Sequence, residues 1–200
     1  PGTLTKSGIG WLRLSGDNSF NGAVLREGTL ELNGSNTLTS AVDVQGGRFL
    51  LNGSLVSTAL TTTGGVSTVS ASGVLKDGNL TVNGGVVSFN GMQTGGTTTV
   101  GSNGLLKGIG TLGSTRVDGT IAPGNSIGTL TINGDYVQGA TGVYAAELAP
   151  GAHSDQLHVT GTATLGGTLV ALPEPGIYYL GEQFNFIRAE GGINGQFAKT

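Results

Sequence analysis

The chain contains no cysteine, so neither disulfides nor thiolate-bound metals can stabilise it. That absence is compatible with the cytosol, and it also suits a chain that crosses an oxidising periplasm unfolded. Charge is scarce as well. Charged residues make up 10% of the 200 positions, against about 25% in average soluble domains. Lys and Arg number 9, scattered singly, and the net charge is −3. Nucleic-acid binding needs clustered cations to displace counterions, so no nucleic-acid partner is expected. No apolar run approaches the roughly 20 residues that a membrane-spanning helix requires. Disorder is also disfavoured, because hydrophobic residues still reach 36%.

Glycine is abundant. It occurs 39 times, about three times its usual share. No Gly-X-Y period accompanies it, which excludes collagen. Each glycine inside a helix costs about 1 kcal/mol relative to alanine, so long helices are excluded too. The polar fraction is carried by Gly, Thr, Ser and Asn, residues suited to short strands and tight turns.

The dominant pattern is a repeat in which a glycine precedes a short alternating strand. Clear copies are Gly28-Thr-Leu-Glu-Leu32, Gly47-Arg-Phe-Leu-Leu51, Gly85-Val-Val-Ser-Phe89 and Gly104-Leu-Leu-Lys107, with weaker ones at Gly65, Gly119, Gly142 and Gly167. Between Gly28 and Gly104 the interval is 18–20 residues. Propeller blades need about 40 residues, whereas about 20 suit one coil of a parallel β-helix. Alternation makes Leu30 and Leu32, Val87 and Phe89, and Leu130 and Ile132 inward pairs, and leaves Glu31, Ser88 and Thr131 facing water. On this reading the chain forms roughly ten coils and a rod on the order of 45–50 Å long. Asn-Gly, at Asn21, Asn33, Asn52, Asn83, Asn90, Asn103, Asn133 and Asn194, is also the hairpin signal of an antiparallel sandwich. Asn and Gly serve equally at left-handed solenoid corners, and the regular interval favours the solenoid.

Composition shifts near residue 135. Seven of the eleven aromatic residues lie beyond it: Tyr136, Tyr144, Tyr178, Tyr179, Phe184, Phe186 and Phe197. Pro173 and Pro175 end a strand at Val170-Ala-Leu172. Ile177-Tyr-Tyr-Leu180 and Gln183-Phe-Asn-Phe-Ile187 then flank Gly181-Glu182 and read as a hairpin. An open solenoid end needs a cap, and these seven aromatics are the candidates to build it. The expected organisation is all-β, with stalk coils over 1–104 and C-terminal coils plus cap over 105–200.

Few residues suggest chemistry, and no catalytic, cofactor or metal residue is assigned. His153-Ser-Asp155 with His158 crowds nucleophile, base and acid types together, but neighbours on a turn point apart, while a triad converges from separate segments. The histidines share no strand face for a metal. Asp155 fits an Asx-turn leading into Leu157. Gly124-Asn-Ser-Ile-Gly128 matches a nucleophile-elbow pattern without its strand-to-helix context, and reads as a turn held by Asn125 and Ser126. Glu31, Asp43, Asp77 and Asp118 fall on different coils, and Glu174 and Glu182 lie in a loop and hairpin. None forms the carboxylate pair of a glycosidase.

Four stretches resemble a known family. Leu4-Thr-Lys-Ser-Gly-Ile-Gly-Trp-Leu-Arg-Leu-Ser-Gly-Asp-Asn-Ser-Phe-Asn-Gly22, followed by Gly28-Thr-Leu, is similar to the passenger-associated transport repeat of bacterial autotransporters. Gly119-Thr-Ile-Ala-Pro-Gly-Asn-Ser-Ile-Gly-Thr-Leu130, Ser154-Asp-Gln-Leu-His-Val-Thr-Gly-Thr-Ala-Thr-Leu-Gly-Gly-Thr-Leu169 and Gly191-Gly-Ile-Asn-Gly-Gln-Phe197 resemble the C-terminal region of their passengers. The resemblance covers about two thirds of the chain; residues 35–103 show only generic β-helix texture. It implies a right-handed parallel β-helix secreted across a Gram-negative outer membrane, with an autochaperone region that folds first. It implies as partners an outer-membrane β-barrel of the same polypeptide and an upstream passenger domain, in some members a subtilisin-like protease. The opening at Pro1 within a turn-like phrase reads as an excised fragment. A second reading is an adhesin that contacts glycans, host or bacterial surfaces, or neighbouring rods through threonine rows such as Thr61–Thr63 and Thr97–Thr99.

Overall fold

A computed structural model describes residues 2–200 as an all-β solenoid. Its strands stack in parallel on three faces. The first face runs from Leu4–Lys6 through Ala23–Leu25, Val42–Val44 and Ala59–Thr62 up to Ile193–Gly195. The second runs from Trp11–Leu14 through Thr29–Leu32, Arg48–Leu51 and Val66–Val69 to Thr168–Pro173. The third is a separate nine-stranded sheet from Asn18–Phe20 to Ile187–Ala189. Adjacent rungs lie about 4.8 Å apart, so each strand takes its partners from the coils below and above it.

All eight repeat glycines occupy one place, the entry to the second face; at Gly85 and Gly104 the strand runs on unbroken from the first face, over Asn79–Phe89 and Thr98–Gly108. Gly28, Gly47, Gly65 and Gly85 have φ of 75°, 70°, 70° and 70°, a left-handed conformation that glycine adopts without strain. They also stack. A Cβ on Gly47 would lie 2.4 Å from the carbonyl oxygen of Gly28, and one on Gly65 2.3 Å from that of Gly47. The same carbonyls accept hydrogen bonds from the next rung, Arg48 N–H to Gly28 at 2.8 Å and Val66 N–H to Gly47 at 2.9 Å. The period read from the sequence is therefore a column of corners too narrow for side chains.

The interior matches the alternation. Leu30, Leu32, Val87, Phe89, Leu130 and Ile132 are fully buried and belong to one continuous core running from Ala23 to Ala163. Inward polar side chains pair with each other or with backbone, as Thr62 does with Ser67 at 2.7 Å and Thr98 with Gln93 at 2.7 Å. Thr62 and Thr98 are thus buried, and only part of each threonine row faces out. Thr61, Thr81 and Thr99 stack in register on the outer side of the first face. Lys6 also takes an inward position, in register with buried Leu25, and its ammonium donates to the carbonyls of Ser7, Gly8 and Glu27. The lysine of the Leu4-Thr-Lys phrase therefore fills the carbonyl cup of its own corner.

One outward residue departs from expectation. Glu31 is only 5% exposed, because Arg13 from the rung below and Asn52 from the rung above close over its carboxylate at 3.0 and 3.1 Å. Ser88 and Thr131 are partly exposed, as outward positions should be.

Gly47→Ala should lower the unfolding free energy by about 2–3 kcal/mol, combining backbone strain with a backbone clash. Gly8→Ala is the control. Gly8 has φ 75° but nothing within 4 Å of its missing Cβ, so only the conformational part, about 1 kcal/mol, should be lost. Urea unfolding of both variants measures the difference, and equal losses would show that corner stacking is not the constraint.

Candidate functional site: the C-terminal closure

The seven candidate aromatics divide into three groups. Tyr136 on the first face and Tyr144 on the second are fully buried. Tyr136 stacks between the smaller Thr115 and Ala163, which leave room for its ring. Its hydroxyl donates to Gln138 at 2.7 Å, and the Gln138 amide donates to the carbonyls of Gly142 and Thr168. Burial pushes the ionisation of both tyrosines well above the ordinary value of 10.0, so they stay neutral hydrogen-bond donors at any physiological pH.

Phe186 and Phe197 form the second group. They are half-buried against the core and flank Tyr144, with ring centroids 6.5 and 6.2 Å away, separations typical of favourable aromatic pairs. The Tyr144 hydroxyl donates to the Phe186 carbonyl at 2.8 Å, which also accepts the Leu157 N–H at 2.8 Å. Phe197 arrives with a last stretch of backbone in which Ala198 N–H donates to Gly167 and Leu169 N–H to Lys199. Tyr144 is thus the post onto which two separate C-terminal segments close.

Tyr178, Tyr179 and Phe184 lie outside the core. Tyr178 and Phe184 are half-buried and pack on each other at 6.2 Å. The Tyr178 hydroxyl shares its proton between the carbonyls of Leu148 and Glu174, each at 2.9 Å. Tyr179 is 71% exposed and takes no part in packing the core.

The hairpin expected over 177–187 does not form. No strand occurs between 174 and 186, and Ile187–Ala189 pairs in parallel with Leu157–Val159 on the third face. The turn at Gly181-Glu182 is present, with Glu182 N–H donating to Tyr179 at 3.2 Å. Its flanks bond outward instead of to each other. Two prolines remove donors at the start of the segment, and the exposed rung edge recruits its end. The antiparallel pair in the structure is Val143–Ala149 with His153–Ser154, turned through Gly151 at φ 84° and Ala152 at φ 63°. Pro150-Gly151 was the available turn signal.

The chemistry-bearing residues diverge. His153 is exposed, Ser154 donates its hydroxyl to the Asn185 carbonyl at 3.2 Å, and His158 lies on the outer third face, bonded to Glu190 at 2.9 Å. Among the described residues, no three His, Asp or Glu side chains group to hold a metal. Asp155 does not form the expected local Asx-turn. It is 1% exposed and accepts the Gly128 N–H on Oδ1 and the Glu147 N–H on Oδ2, each at 2.9 Å. The Gly124–Gly128 loop is therefore held by a carboxylate 27 residues away, while Asn125 reaches Asn90 at 2.9 Å. Sequence spacing gave no hint of this tie. Removal from water raises the Asp155 pKa above 3.8, outweighing the two amide bonds. No protein-family model matches this chain, and no match to it is found among curated proteins.

Phe186→Ala should cost about 2–3 kcal/mol, less than a fully buried phenylalanine because the ring is half-exposed, and Phe184→Ala about 1 kcal/mol or less. Chemical unfolding of the pair tests whether closure rests on the Tyr144 cluster. Asp155 generates a pH prediction. With its folded pKa raised, the native state binds the proton more tightly than the unfolded chain does. Its contribution is fully present below pH 3.8 and is lost as pH rises through the folded value. Asp155→Asn should remove that component from the stability–pH curve. It should also cost about 1–3 kcal/mol at neutral pH, because an amide oxygen replaces only one of two acceptors. An unchanged curve would exclude Asp155 as its source.

Proposed function

We propose that the chain is a structural and fold-nucleating segment of a secreted autotransporter passenger: a β-solenoid stalk whose C-terminal coils template the coils before them. The observation that carries this reading is the aromatic closure at the C-terminal end. At the C-terminal end Phe186 and Phe197 close onto Tyr144 and the chain bonds back onto its own last rungs. Leu4, Leu12, Leu14 and Phe20 at the other end are partly covered, as Leu165, Leu169 and Ile187 are here, but no such cluster ties them down. The strands Leu4–Lys6, Trp11–Leu14 and Asn18–Phe20 each pair with the following rung alone, as Thr168–Pro173, Ile187–Ala189 and Ile193–Gly195 pair with the preceding strand of their face. An edge of three strands with half-covered apolar side chains is a template for further coils.

Folding physics supports the same direction. Pairing distant strands carries a loop-closure cost that a preformed rung largely removes. A self-closed end is the place where a first rung can persist before any neighbour exists. In this reading the partners are an upstream passenger domain, displayed on the stalk and in some parents a protease, and an outer-membrane β-barrel of the same polypeptide, with the rod outside the cell. The phrases resembling the transport repeat and the passenger C-terminal region add support from sequence.

Folding kinetics tests the reading. Leu157→Ala and Val159→Ala, buried beside the closure, should slow refolding by most of their equilibrium effect. Leu30→Ala and Val42→Ala, near the open edge, should act mainly on unfolding. The reverse pattern would place nucleation in the N-terminal coils and overturn the template role.

A further inference from the structure

The second face carries a feature that neither stalk nor template uses. Trp11, the chain's single tryptophan, is 62% exposed. Alternation on its strand turns Leu12 and Leu14 inward and Trp11 and Arg13 outward. A coil added to the open edge would thus lie beside the indole and not on top of it. The ring is also held in place. The Arg13 guanidinium carbon stands 5.2 Å from the ring centroid, within cation–π range. Arg13 Nε is fixed by Glu31 at 3.0 Å, and Glu31 by Asn52, which also donates to Asn33 at 2.9 Å. Glu31 is 5% exposed, so an exposed aromatic rests on a buried, fully engaged carboxylate. Desolvation alone would raise the Glu31 pKa, but the hydrogen bond and charge of Arg13, with the polar groups of Asn33 and Trp11 nearby, carry it below 4.5. The hub therefore stays ionised and the platform stays assembled at neutral pH.

Charge on this face is unbalanced. The Arg13 charge is answered by Glu31. Arg48, two rungs beyond Trp11 in the register Trp11–Thr29–Arg48, is exposed and makes no ion pair or side-chain hydrogen bond among the described residues. That places a free cation about 10 Å from the indole along a flat sheet. An open, rigid aromatic face takes the apolar C–H face of a pyranose ring, and a free guanidinium takes a carboxylate bidentately.

We propose that the Trp11 face binds an acidic polysaccharide, with one sugar ring on the indole and the carboxylate of a nearby residue on Arg48. The site is independent of the folding role, since none of its side chains packs the core. Because Trp11 is the only tryptophan, its emission reports occupancy directly in the full chain. Titration with oligogalacturonate should shift that emission saturably, and neutral malto-oligosaccharides should leave it unchanged. Arg48→Ala should weaken binding about tenfold, the size of one charge-assisted hydrogen bond. Trp11→Ala, followed by calorimetry, should abolish binding while thermal unfolding stays as in the parent chain. An unresponsive indole with both sugars, or undiminished binding by Trp11→Ala, would overturn the site. Equal binding of the neutral sugar would overturn its assignment to acidic glycans.

Discussion

Each rung of this solenoid exists because the next one accepts its amides, and the tightest point of that contract is the glycine corner. At Gly28, Gly47, Gly65 and Gly85 the backbone turns left-handed, and each successive corner sits where a Cβ would strike the carbonyl below. Those carbonyls also receive the first hydrogen bond of the following strand. Corner geometry therefore fixes rung spacing, rung spacing fixes strand register, and register decides which side chains meet inside. The core from Ala23 to Ala163 is a consequence of that alignment. A thin stack of Leu and Val can only be continuous if every coil enters its second-face strand at the same height.

A structure built this way has no difficulty in its middle and two difficulties at its ends. Interior rungs satisfy their backbone on both sides, whereas a terminal rung leaves a row of unpaired groups and a half-covered core. The C-terminal solution enlarges the side chains as the stack runs out. Tyr136 follows Thr115 and Tyr144 follows Ile121 in their stacks, and both bring hydroxyls, that of Tyr136 bonding the Gln138 side chain and that of Tyr144 the distant Phe186 carbonyl. The Tyr144–Phe186 bond combines both functions, since ring contact covers apolar surface while the hydroxyl fixes a segment that has no strand partner of its own. Lys6 makes a comparable tie to backbone, its position in register with buried Leu25 and its ammonium on the carbonyls of Ser7, Gly8 and Glu27.

The repeat, the strand faces and the inward pairs were legible in the sequence because they are local and periodic. A glycine every 18–20 residues and alternation over four residues carry all the information needed to place Leu30, Phe89 or Ile132. The closure was legible as composition only. Seven aromatics beyond residue 135 announced a change in the core, but not that Phe186 and Phe197 gather on Tyr144 while Tyr179 points to solvent. Gly181-Glu182 turns as a hairpin turn does, yet the choice between pairing its flanks and extending the third face is made by an edge formed at Leu157–Val159. Asp155 and Glu31 were illegible for a related reason. Their partners are 27 and 18 residues away, and become neighbours only once coils stack.

Those two carboxylates also bear on how the rod meets acid. Glu31 lies on the outer face with its pKa lowered, so its contribution is complete above 4.5 and fades as pH falls through the folded value. Asp155 is desolvated with its pKa raised, so its contribution grows as pH falls toward 3.8. The two slopes oppose each other. Charged residues are only 10% of the chain, and the hydrogen-bonded backbone that carries the fold does not titrate at all. Stability that resides in rung-to-rung amides is carried by groups that do not titrate, so the acid response of the fold falls to the few carboxylates that stacking encloses.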